Sequence, residues 1–236
     1  MSTSGSRGIV FGLLLLVLGW RSVAGVAAER EVTTPADRSE RWADTLKVGE
    51  AAPAFTLALL PPVAKPGDRA VAAAKPAEPK TVALKDLHAG RPVVLVFGSF
   101  TCPPFRNQLA DVDRVYDEFR DRAAFLFVYV REAHPGSTVR VVDERGEAGL
   151  AKIDQPQSPE ARAANAAVCR RTYALRMPVA VDSADNAVGK AYAGWPNRVV
   201  IVGADGRIAN ATRPSPGGTD ARRLRAWLGQ NLPAAK

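Results

Sequence analysis

The sequence holds no Cys-x-x-Cys pair and is poor in cysteine, histidine and aromatic residues. Its two cysteines, Cys102 and Cys169, stand far apart, so the chain cannot cycle a vicinal disulfide as a dithiol oxidoreductase does. Aromatic residues make up 7% and do not interleave with basic ones, and no run of five or six basic residues occurs. No nucleic-acid partner is therefore expected, and the net charge of +8 reads as a mildly basic surface. Only two histidines, His88 and His134, are present, and no metal or resident cofactor is expected.

The N-terminus carries the marks of an export leader. Arg7 supplies the positive charge, the apolar run Ile9 to Trp20 is 12 residues long, and small residues follow from Val23 to Ala28. That run is short of the roughly 20 residues needed to span a bilayer. The alternative is a membrane anchor over residues 9–28, which would place Arg21 in the hydrocarbon at a cost of about 2.5–3.5 kcal/mol. A periplasmic or secreted location follows from the leader.

Residues 29–52 read as a loose polar lead-in and 53–236 as one domain. Within it, residues 61–80 hold five prolines, six alanines and three lysines and read as a poorly packed insertion. Pro92 to Phe97 and Ala123 to Val130 are continuous apolar, β-branched and aromatic runs, as buried central strands require. Pro103 and Pro104 open a helix whose apolar face is Leu109, Val112, Val115, Tyr116 and Phe119. Residues 136–158 are polar and read as an irregular insertion. A helix from Pro159 to Leu175 carries Cys169, a strand covers Pro178 to Val181, and a short helix runs from Asn186 to Tyr192. An Asp205-Gly206 turn closes a hairpin, and a last amphipathic helix spans Asp220 to Gln230. The order predicts an α/β thioredoxin-like fold, with a mixed central sheet flanked by helices.

Cys102 lies between the first buried strand and the helix start. Free N–H groups and the helix dipole make that position locally positive, which favours the nucleophilic thiolate. Ser99 and Thr101 are expected to add hydroxyl donors to the same sulfur. His134 lies just past the second buried strand, with Glu132 two residues earlier on the same face if the strand persists. A histidine oriented by a carboxylate can manage a proton beside a thiolate. Pro196 stands before the hairpin, where thioredoxin-like folds place a cis-proline facing the active-site cysteine. Peroxiredoxins usually place Thr where Ser99 stands and Pro where Leu95 stands, so that pattern is incomplete.

The run Gly98-Ser-Phe-Thr-Cys-Pro-Pro-Phe105 resembles the active-site segment of the iodothyronine deiodinases, with cysteine where the vertebrate enzymes hold selenocysteine. Phe127 to Pro135 is similar to that family's strand ending in Glu-Ala-His-Pro. Val181 to Asn186 with Ala191 to Ala193, and Arg222 to Leu228, resemble later segments in the same order. The resemblance implies that Cys102 is the nucleophile with Thr101 beside it, and that Tyr129, Glu132 and His134 form a polar relay. It also places Arg213 near a substrate-clamping arginine, one residue out of register, and Tyr129 and Pro196 are further candidates for substrate contact. Arg131 replaces the family's first Glu before Glu132, and no histidine follows His134.

Three readings follow. One is a deiodinase-like thiol oxidoreductase in which Cys102 attacks an electrophile and Cys169 or an external thiol resolves the product. Its partners would be a small electrophilic substrate and a thiol or thioredoxin-like electron donor, with a homodimer left open. The second is a one-cysteine peroxidase or redox sensor. The third is a non-enzymatic module whose two cysteines form a structural disulfide.

Overall fold

The computed structural model describes Met1 and residues 30–37, 41–61 and 80–233. The expected leader lies outside these residues, as does all of the Pro/Ala-rich insertion except Pro61 and Lys80. The elements are β1 (Thr56–Leu59), β2 (Thr81–Ala83), α1 (Leu84–His88), β3 (Val93–Gly98), α2 (Pro103–Phe119), β4 (Ala124–Tyr129) and β5 (Ser137–Val142). They continue with β6 (Ala148–Ile153), α3 (Pro159–Thr172), β7 (Val179–Val181), α4 (Ala187–Ala191), β8 (Arg198–Val202), β9 (Ile208–Ala211) and α5 (Ala221–Asn231).

Every residue of β3 and β4 is buried, because helices cover both faces of a sheet whose order is β2-β1-β7-β4-β3-β8-β9. Strands β3, β4 and β7 run parallel, while β8, β9, β1 and β2 pair antiparallel. The period-two alternation of the strands divides the core into two layers. Val94, Val96, Phe125, Phe127, Val199 and Ile201 face α2, α3 and α5. Val93, Leu95, Phe97, Leu126, Val128 and Val200 face the opposite side, with Val188 of α4 and Leu84 of α1. This mixed sheet with flanking helices is the thioredoxin-like architecture that the element order predicts.

Two expectations are corrected. Residues 136–158 are not irregular: they contain the hairpin β5–β6, a separate two-stranded sheet. Val139 is buried while Arg140 is exposed, and this one-sided burial left the composition polar. The turn is closed by Asp143, whose Oδ1 accepts the N–H groups of Arg145 and Glu147, both at 2.9 Å, and by Gly146 at φ +85°. The described part of the lead-in, residues 30–37 and 41–52, is not loose either. Val32 bridges to Thr138 in β5, and Asp44 forms a two-pronged ion pair with Arg198, whose side chain is 3% exposed.

Gly98 ends β3 beneath the loop that carries Cys102. A Cβ added there would sit 2.5 Å from the Phe105 ring, which is itself fully buried. Gly98→Ala should cost about 1–3 kcal/mol by overpacking, read as a fall in melting temperature. An unchanged melting temperature would mean that the ring yields freely.

Candidate active site

Cys102 is the N-cap of α2, in extended conformation. Pro103 and Pro104 have no N–H, so the first free amide of the helix is that of Phe105. It faces the sulfur without completing a cap hydrogen bond. The Nδ2 of Asn197 stands 3.4 Å from Sγ and donates to it. Cys102 is only 1% exposed, and burial pushes its thiol up. The Phe105 amide, Asn197 and the Arg106 guanidinium oppose that rise, while Glu132 adds to it. The expectation of a thiol lowered by the helix start is thus corrected: the donors are present, and desolvation outweighs them.

Ser99 and Thr101 turn away from the sulfur, contrary to expectation. Ser99 Oγ accepts the Ala133 N–H at 3.0 Å. Thr101 Oγ1 donates to Glu132 Oε2 at 2.7 Å and accepts the His134 N–H at 3.0 Å. The Thr101 amide also donates to Glu132 Oε2, at 3.1 Å. Tyr129, fully buried, donates its hydroxyl to Glu132 Oε1 and accepts the Phe100 N–H at 3.1 Å. Asn165 Nδ2 donates to Glu132 Oε1 at 3.4 Å. These contacts lace the loop after β3 to the loop after β4, so Glu132 holds the backbone on which Cys102 sits. Burial raises the Glu132 carboxyl above the usual range, against the pull of its four donors, and raises the Tyr129 hydroxyl well above its own. Tyr129 therefore positions the loop rather than presenting a surface to substrate.

Glu132 does not orient His134. The strand ends at Tyr129, the alternation lapses, and Glu132 turns inward, while His134 Nδ1 lies 2.7 Å from the Thr34 carbonyl. Two members of the expected relay are joined to Cys102's neighbour Thr101, but by different atoms than the face-sharing argument supposed. The Trp195–Pro196 bond is cis and Pro196 is buried beside Asn197.

Asn197 was missed by sequence reasoning, although its place directly after Pro196 was the available signal. Its Oδ1 accepts the Thr219 N–H at 2.7 Å and its Nδ2 also donates to Pro216 O at 3.0 Å, which fixes the amide. Replacing it with alanine removes a donor to the thiolate, raises the thiol further and lowers the thiolate fraction. A charge-assisted hydrogen bond of about 1.5 kcal/mol corresponds to roughly tenfold slower alkylation by iodoacetamide. The rate is measured in a Cys169→Ser background, and an unchanged rate would remove Asn197 from the site.

Both cysteines are free thiols, so the structural disulfide of the third reading does not form in this structure. Cys169 lies in α3, fully buried, and burial with Glu132 pushes its thiol well up. Arg213 is exposed and lines a separate cavity of about 490 Å³ with Thr212, Ser215 and Asp220 over Val199 and Leu224. Among the described residues no hydrogen bond joins it to the Cys102 loops. Nor, among them, is any group of three His, Cys, Asp or Glu side chains placed to hold a metal ion.

Residues 38–232 match the family model for iodothyronine deiodinase. The chain is 35% identical over 140 residues to thyroxine 5-deiodinase of Gallus gallus, covering 59% of this chain and 52% of that protein. It is 33% identical over 142 residues to type II iodothyronine deiodinase of Sus scrofa, covering 60% and 52%. The chain thus spans about half the length of the curated relatives it matches. Among solved structures, AhpC of Mycobacterium bovis is similar in fold, with a TM-score of 0.52 at 19% identity over 79% of this chain and 93% of that one.

Proposed function

This chain belongs to the iodothyronine deiodinase family, and from that premise we propose that it is a thiol-dependent oxidoreductase with Cys102 as its nucleophile. The observation that carries the reading is the setting of Cys102: a helix N-cap whose sulfur meets the Asn197 amide, on a loop clamped by Glu132. Export by the segment 1–28 belongs to the same proposal and rests on the sequence alone.

The reaction is a two-electron reduction. The Cys102 thiolate attacks an electrophilic atom, and the carbon–halogen bond of an aryl halide breaks as a sulfur–halogen bond forms. The aryl group leaves with the bonding pair and takes a proton, which His134 supplies in this reading. A second thiol, from Cys169 or an external donor, then attacks the Cys102 sulfur, releasing halide and a proton and leaving a disulfide. An external dithiol of small-molecule or thioredoxin-like kind reduces that disulfide and is itself oxidised. The protein needs no resident cofactor for this sequence of steps.

The test is a panel of iodinated aromatics, hydroperoxides and a small disulfide, each with dithiothreitol as reductant. Halide release faster than that of free cysteine, with peroxide and disulfide slower, is the expected result. Fastest consumption by peroxide would move the assignment to a one-cysteine peroxidase. Rates no better than free cysteine on all three would end the proposal.

A further inference from the structure

The ring of His134 is held by a segment that sequence reading treated as a loose lead-in. Residues 30–37 run beside the loop after β4 and the start of β5. Val32 and Thr138 exchange backbone hydrogen bonds, both 2.8 Å. The Thr34 N–H donates to Ser137 Oγ at 3.0 Å, and Thr34 Oγ1 donates to the Pro135 carbonyl at 2.6 Å. Ser137 Oγ in turn donates to the His134 carbonyl at 2.6 Å. Glu31 pairs with Arg106, one turn into α2 from Cys102, and accepts the Arg140 N–H. The segment is therefore pinned through Glu31, Val32 and Thr34 to the chain that follows His134, and tied to the helix that begins at Cys102.

Next to the Thr34 pins, the Thr34 carbonyl lies 2.7 Å from His134 Nδ1. A carbonyl oxygen can only accept, so the proton must be on Nδ1, and in the neutral ring Nε2 keeps its lone pair. Free imidazole side chains in water prefer the opposite tautomer. We propose that residues 30–37 form a strap that completes the active site, with the Thr34 carbonyl setting the tautomer of His134 and presenting Nε2 as its proton-exchanging atom. Thr34 is then a positioning residue, acting through His134. Its role is the one that sequence reading gave to Glu132, which is instead engaged by Thr101, Tyr129 and Asn165. The consequence for turnover rests on the reading above that His134 handles the proton.

The chain has two histidines, so its imidazole spectrum is simple to assign with a His88→Asn variant. A long-range ¹⁵N–¹H correlation spectrum of the full chain is recorded at about pH 9, where an imidazole is neutral. Three proteins are compared: wild type, Thr34→Val with Ser137→Ala, and a deletion of residues 30–37. In wild type the His134 Nδ1 should be of the protonated, pyrrole-like kind and Nε2 pyridine-like. Deletion should convert the ring to the Nε2–H form, and the double variant should show a mixture. With the panel's best substrate, kcat should fall about tenfold on deletion while KM changes little, the scale seen when an orienting partner of a functional histidine is lost. If the deletion does not fold, the double variant carries the test, because it retains the backbone and loses the Thr34 Oγ1 and Ser137 pins. An Nε2–H ring in wild type, or a tautomer indifferent to both changes, overturns the proposal. Full turnover in His134→Gln would instead overturn the proton-handling reading while leaving the strap's hold on the ring intact, so the two failures are separable.

Discussion

Cys102→Ser is expected to lower thiol-dependent turnover by about a thousandfold or more, the loss typical of removing a nucleophile. Serine fits the same N-cap site, and the Asn197 amide can donate to its oxygen as it does to the sulfur. The fold should therefore be retained, which separates a chemical loss from a structural one. A hydroxyl at this position is far from ionised at neutral pH and cannot form the sulfur–halogen or sulfur–oxygen bond on which the reduction depends. Cys169→Ser is the informative companion. If Cys169 resolves the oxidised sulfur, that variant keeps its first turnover and loses later ones at low reductant concentration. Stopped-flow consumption of the thiol with steady-state product release measures both. Retained turnover in Cys102→Ser would remove the proposed mechanism entirely.

The second large effect is on stability, at Glu132. Alanine there leaves the Tyr129 hydroxyl and the Thr101 amide and hydroxyl without their acceptor in a fully buried setting. Buried groups left unpaired cost about 1–3 kcal/mol each, so Glu132→Ala should lose about 3 kcal/mol or more in denaturant unfolding. Glu132→Gln keeps the volume and separates out the charge. The folded-state carboxyl is raised above its ordinary value by burial, so over that interval the native state holds more protons than the unfolded one. Its contribution to stability is complete below the unfolded value and is lost as pH rises through the folded value. Asp182, also raised by burial, acts with the same sign. Asp143, Glu160 and Asp185 are lowered and act with the opposite sign, so the effect of Glu132 is read as a difference: between about pH 4 and neutrality wild type should lose stability relative to Glu132→Gln. Parallel pH profiles for the two proteins would show that Glu132 titrates alike in both states.

The regular elements were legible because their signals are local. The apolar runs of β3 and β4, the proline-led start of α2 and the Asp-Gly turn before β9 depend on residues adjacent in the chain, and each element formed within a residue or two of its expected place. The hairpin β5–β6 was obscured because only one of its faces is buried, although Asp143 and Gly146 marked its turn. At the site, the positions of Cys102, Thr101, Glu132 and His134 were readable, and their partners were not. Alternation along a strand placed Glu132 and His134 on one face, but it holds only while the ladder continues, and the ladder stops at Tyr129.

The sequence by itself determined the thioredoxin-like order of elements, the cysteine at the mouth of a helix and the family to which that pattern belongs. These follow from hydrophobic period, proline placement and the neighbours of one residue. The tertiary structure decided what each functional group touches. Asn197 reaches Cys102 across 95 residues of chain, Thr34 reaches His134 across 100, and Glu132 reaches Thr101 across 31. Such contacts exist because sheet order brings distant loops to one edge. The balance at Cys102 was settled the same way: the helix start favours the thiolate, but the packing of its surroundings removes water and raises the thiol.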